Sequence, residues 1–92
     1  MNEVISIINE YLTNPTNPSA FSLKLEDSLF DLYDKMIMEN QDLADELNEN
    51  FPDICAEYEQ GYDENKYYQL VKKEALRVEN VLGIKIFQYE VY

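Results

Sequence analysis

The sequence predicts an all-α protein, an antiparallel four-helix bundle with a kink or break near Pro52 and a β-like C-terminal tail. Three observations carry that expectation. Apolar residues recur at steps of three and four over most of the chain, the spacing of one helical face. Cap residues and glycines divide that pattern into four segments. The 92 residues, 46% of them hydrophobic, suit one domain with one modest core and little room for a deep catalytic pocket.

The first helix is expected over residues 2–12, with Val4, Ile5, Ile7, Ile8, Tyr11 and Leu12 inward and Asn2 as its cap. Thr13-Asn14-Pro15-Thr16-Asn17 reads as a loop, since proline and asparagine disfavour helix there. Asn17 followed by Pro18 is a cap followed by proline at the first helical position, opening a second helix that runs to about Glu39. Phe21, Leu25, Leu29, Leu32 and Met36 form its buried stripe, and Phe30, Tyr33 and Ile37 are expected to widen it.

A third helix is expected from Asp42, with Leu43, Leu47, Phe51, Ile54, Cys55 and Tyr58 inward and Gly61 as its stop. Pro52 lacks a backbone donor and crowds the preceding turn, so either a kink or two short helices meeting near Phe51 are expected. Asp63 caps a fourth helix, buried through Tyr67, Leu70, Val71, Ala75, Val78, Val81 and Leu82 and ended by Gly83. Residues 84–92 differ from the rest. Phe87, Tyr89 and Val91 alternate with Gln88 and Glu90, as in a half-buried strand, yet no second strand is in sight. The tail either covers the end of the bundle with Ile84, Ile86 and Phe87 or pairs with a second copy or a partner's sheet edge.

The composition argues against an enzyme and against any cofactor or metal. Without histidine the chain lacks the commonest general base and metal ligand. Cys55 is the only cysteine, so neither an intrachain disulfide nor a thiolate zinc site can form, and its place on an apolar helix face makes it a small core residue. Carboxylate pairs such as Glu26-Asp27 and Asp45-Glu46 read as solvated helix faces with ordinary ionisation, and the acids lack the spacing of a calcium loop. Neither Gly61 nor Gly83 lies in a phosphate-binding loop. The start, Met1-Asn2-Glu3-Val4, has no basic leader, no apolar run is long enough for a membrane span, and the one unpaired thiol fits a cytoplasmic protein.

The chain has 19 acidic residues against 7 basic ones, a formal charge of −12. Such a field repels nucleic acid and anionic membranes and attracts basic surfaces. It is concentrated: residues 26–64 hold fourteen acids and only Lys35 in opposition, whereas residues 65–92 are net basic. Asp42, Asp45, Glu46, Glu49 and Asp53 fall at steps of three and four, side by side and opposite Leu43, Leu47, Phe51 and Ile54. Asp27, Asp31 and Asp34 form a second ridge. Adjacent like charges cost a helix a few tenths of a kcal/mol per pair, roughly, so stability alone would favour interleaved lysines. A solvated face relieved by the basic fourth helix is one account of the ridge. A docking surface for a basic partner, with Tyr58 and Tyr62 as aromatic anchors, is the other.

Ser19-Ala20-x-Ser22 opening a long second helix through Phe21, an acidic third helix ending in Phe51-x-x-Ile54-x-x-x-Tyr58, and a charged fourth helix make a layout that resembles the immunity proteins of the colicin D type over about residues 3–82. Those are small acidic four-helix bundles that block a toxin's tRNA-cleaving domain. The resemblance implies an immunity- or antitoxin-like inhibitor of a basic toxin nuclease, acting by occlusion, with Asp42, Asp45, Glu46, Glu49 and Asp53 in contact. Two other functions fit the same residues: a phage-type acidic mimic of nucleic acid that blocks a DNA-binding protein, and a non-enzymatic adaptor forming a homodimer through residues 84–92.

Overall fold

The computed structural model describes residues 2–58 and 62–87. Four helices follow one another: α1 (Asn2–Thr13), α2 (Pro18–Glu39), α3 (Gln41–Glu57) and α4 (Glu64–Leu82). The described residues contain no strand.

The boundaries follow from a few local devices. Asn17 takes a left-handed conformation, φ 50°, which asparagine tolerates better than most residues. Its side chain accepts the Ala20 N–H at 3.3 Å, and Pro18 occupies the first turn, where its missing donor costs nothing. Asn40 alone separates α2 from α3. Its N–H donates to Met36 O at 2.9 Å, closing one helix, while its Oδ1 accepts the Leu43 N–H at 3.2 Å, opening the next. Asp63 caps α4 by accepting from Asn65 and Lys66, and Gly83, at φ 70°, ends it.

Cross-helix pairs set the directions. Tyr33 meets Asp45, and the residues near 26–30 of α2 share a depression with those near 48–53 of α3, so these helices run antiparallel. Arg77 meets Glu46 and Glu74 meets Asn50, so α3 and α4 are antiparallel as well. At one end the Tyr11 ring stacks on Phe21 with centroids 4.1 Å apart, and the Tyr68 hydroxyl donates to Leu12 O, bringing α4 back to α1. The expected antiparallel four-helix bundle is therefore observed.

The core is shared by all four helices: Ile8 and Leu12, Leu25 and Met36, Leu47 and Phe51, Tyr67 and Val71 are essentially inaccessible. Full burial of each such side chain contributes roughly 1.5–3 kcal/mol. Cys55 is buried among them, in the core position expected of it.

Several expectations need correction. α3 runs unbroken from Gln41 to Glu57 through Pro52, so there are not two short helices. Proline there deprives only the Asn48 carbonyl of its donor, and Asn48 lies on the exposed side of the helix, where water can replace it. α3 stops at Glu57, with Tyr58 extended behind it, rather than at Gly61, which lies outside the described residues. Asn2 lies within α1 rather than capping it from outside.

Phe30 is 85% exposed and does not widen the buried stripe of α2, because at about 100° per residue it falls well away from Leu25, Leu29 and Met36. Val81, also expected inside, is 57% exposed. Leu70 is only half-buried, at the margin between α3 and α4.

The tail is not a strand as far as Phe87; residues 88–92 of that expected strand lie outside the described residues. After the Gly83 turn, the Ile86 and Phe87 N–H groups donate to Oε2 of Glu79 at 2.8 and 2.9 Å, and the Phe87 ring is buried in the core. Those two donors are thus occupied within the chain, which removes them from strand pairing with a second copy. Ile86 is partly buried and Ile84 stays exposed, so the tail covers the bundle end through Phe87 above all.

Candidate functional site: the acidic face of α2 and α3

The helix periods bring the two acidic ridges to neighbouring positions. Asp27, Asp31 and Asp34 on α2 and Asp42, Asp45, Glu49 and Asp53 on α3 are all exposed. Because the helices are antiparallel, Asp27 of the first ridge and Glu49 and Asp53 of the second come to one seam. An open depression of about 420 Å³ lies in that seam, with Glu26, Asp27, Glu49 and Asp53 around it and Phe30 and Pro52 in its wall. No lysine or arginine lines it. None of those four acids is in a hydrogen bond or ion pair with another described residue.

The structure sorts the residues expected to bind a partner into three groups. Asp42, Glu49 and Asp53 stand free of such contacts on the exposed side of α3. Asp45 is exposed but accepts the Tyr33 hydroxyl at 3.0 Å, an interaction that raises the Tyr33 pKa by stabilising its protonated form. Glu46 turns to α4, where it accepts from Arg77 Nη1 at 2.9 Å.

That last contact belongs to a network. Arg77 grips the buried Glu74 with two bonds, Nε at 2.8 Å and Nη2 at 2.7 Å, and Asn50 donates to the same carboxylate at 3.2 Å. The paired carboxylates, Glu74 first and Glu46 second, raise the Arg77 pKa still further. A buried charge is tolerated only when paired and hydrogen-bonded, and Glu74 meets that condition. Part of the acidity is thus neutralised by α4, as expected for the basic fourth helix, but only along one edge of α3.

Tyr58 and Tyr62 are half-buried, packed at 5.0 and 6.2 Å centroid distance from the inaccessible ring of Tyr67. Tyr11, Phe21 and Tyr68 complete this aromatic cluster, and Ser22 shares a buried hydrogen bond with the Tyr67 hydroxyl. Much of the apolar surface of Tyr58 and Tyr62 is therefore already used inside the bundle. The exposed aromatic ring beside the acids is Phe30, which sequence reasoning assigned to the core. The signal that could have found it was its seven-residue spacing from Leu23 and Ile37, a second apolar line outside the main stripe.

Burial pushes the Cys55 thiol up to about 12, with the Glu26 charge adding to the shift, so it stays a protonated core group at neutral pH. Among the described residues, no His/Cys/Asp/Glu group is arranged to hold a metal ion, and no helix is long and apolar enough to cross a membrane.

Fold and surface together define an all-helical bundle with one unneutralised acidic seam. No family model matches the chain, and neither the curated proteins nor the solved structures contain a match.

Proposed function

We propose that this chain is a non-enzymatic inhibitor of the immunity or antitoxin kind, which docks the α2/α3 acidic face on a basic protein and covers its working surface. A toxin nuclease domain is the partner that fits best. An enzyme that grips RNA must present Lys and Arg to the phosphates, and a rigid row of carboxylates can occupy that surface in place of the backbone. The observation that supports this is that no lysine or arginine lines the depression, although Arg77 of α4 pairs Glu46, three residues before Glu49 on the same helix. Self-repulsion left in place at one seam, and relieved at the other, is the pattern of a surface completed by a partner's charges.

The chain would act by steric and electrostatic occlusion, with carboxylates steering the encounter over about 8 Å at physiological salt. The test is capture of basic proteins from the native host at low and high salt, followed by assay of the captured nuclease. The expected result is a basic nuclease, inhibited by the chain and released by salt. Asp27→Lys, Glu49→Lys and Asp53→Lys together should abolish capture with the helical signal unchanged. A neutral partner held equally well at both salt concentrations, or inhibition that survives the triple reversal, overturns the proposal.

A further inference from the structure

The acidic depression also carries an exposed aromatic side chain, Phe30. Phe30 is 85% exposed, Leu23, seven residues earlier, is 63% exposed, and Ile37, seven residues later, is half-buried. Seven residues are close to two helical turns, so the three fall on one line along α2, exposed at Leu23 and Phe30 and turning in against the core at Ile37. Single exposed apolar residues are ordinary on protein surfaces. A line of them, with the largest at a depression, is a contact surface in form. Its centre is Phe30, which shares the depression with Pro52 of α3, while Glu26 and Asp27 on one side and Glu49 and Asp53 on the other enclose it.

We propose that the depression seats a basic amphipathic segment of the partner. One apolar side chain of that segment packs between Phe30 and Pro52, and Lys or Arg side chains on either flank reach Glu26, Asp27, Glu49 and Asp53. This rests on the docking function proposed above and adds to it the anchor and the form of the partner's contacting element. Charge selects the occupant. A second copy of this chain would bring acids against acids around the same ring, and a phosphate-bearing ligand meets the same repulsion. Only a cationic surface with an apolar centre satisfies both the ring and the rim. Affinity then comes chiefly from the desolvated aromatic contact, and the carboxylates supply encounter rate and orientation.

Two synthetic peptides of identical composition test this on the full chain. One places Lys and Leu at helical spacing to give an apolar stripe, and the other scrambles the same residues. Binding is measured by titration at low salt, with the mass of the chain in solution measured in parallel. The amphipathic peptide should bind about tenfold tighter or better, the size of one aromatic hot spot. Phe30→Ala should erase that advantage while both peptides still bind, and because Phe30 is exposed the variant should fold normally. Asp27→Lys with Glu49→Lys should weaken both peptides alike. Equal affinities, or an advantage that survives Phe30→Ala, overturn the anchor and leave the acidic docking face standing. Failure of both peptides to bind removes the docking function as well. A dimer that Phe30→Ala dissolves makes a second copy the occupant and overturns the proposal.

Discussion

The two edges of α3 each carry a glutamate, Glu46 on one and Glu49 on the other, and use it in opposite ways. On the edge facing α4, Glu46 and Asn50 are tied into the Arg77–Glu74 network, with contacts of 2.7–3.2 Å and side chains partly or wholly out of solvent. On the edge facing α2, Glu49 and Asp53 share a depression with Glu26 and Asp27 that no lysine or arginine lines, and neither is in an ion pair with a described residue, although Asp53 also borders a second depression with Lys73 and Arg77 of α4. The first edge is architecture. The second is a field of like charge that the fold carries without compensation. An acidic residue's role is set by what the neighbouring helix offers it, not by its place in the heptad.

Perturbing the α4 edge should have the largest effect on stability. Arg77→Met leaves Glu74 buried without its cation and should cost about 2–3 kcal/mol in a urea titration, less than a fully buried pair because the guanidinium is partly exposed. Adding Glu74→Leu should recover much of that loss, since an apolar pair replaces a desolvated ionic one. A loss below about 0.5 kcal/mol would mark the network as surface decoration and remove the contrast between the two edges.

A second test uses the inward side of α3 and its aromatic neighbours. Burial raises both the Cys55 thiol and the Tyr11 phenol to about 12. Both groups ionise more readily in the unfolded chain, where they titrate at about 8.5 and 10. Their contribution is therefore fully present below about pH 8 and is lost as pH rises through 9 to 12. The melting temperature should be level near neutrality and fall steadily in that alkaline window, and Cys55→Ala should delay the onset. A flat profile to pH 12 would contradict the burial described for both groups.

The smallest effect belongs to the α2 edge. Asp27→Asn, Glu49→Gln and Asp53→Asn together should stabilise the fold by a few tenths of a kcal/mol per relieved pair, and added salt should mimic part of that gain in the parent chain. Measured as the urea midpoint at low and high salt, a clear destabilisation would show that these acids hold the structure and are not held in reserve for a partner.

Much of the fold was legible in the sequence because it is written in local chemistry. Asn17-Pro18, Asp63 and Gly83 each act within a turn of chain, and each sits where its conformational preference places it, whereas the Asn40 cap, which starts α3 at Gln41 and not at Asp42, was not among those expected. The inward lines of α1 and α3 follow the helical period almost residue by residue. Misreadings arose where a residue's fate depended on a distant neighbour. Phe30 and Val81 are apolar and lie near the expected stripes, but the packed helices leave both exposed. Glu79 reads as an ordinary surface acid, yet the returning tail makes it an acceptor for the Ile86 and Phe87 N–H groups.

The candidate site divides in the same way. The sequence by itself determined a four-helix, histidine-free chain with a charge of −12 and its acids gathered in the middle, because composition, caps and period act over a few residues. Tertiary structure decided which of those acids are spent. The pairing of α3 with α4 commits Glu46 to Arg77, the packing of Tyr67 draws Tyr58 and Tyr62 inward, and the antiparallel return of α3 along α2 sets Phe30 within a ring of carboxylates. Charges and rings separated by tens of residues meet only when helices pack, and no local rule says which faces will meet.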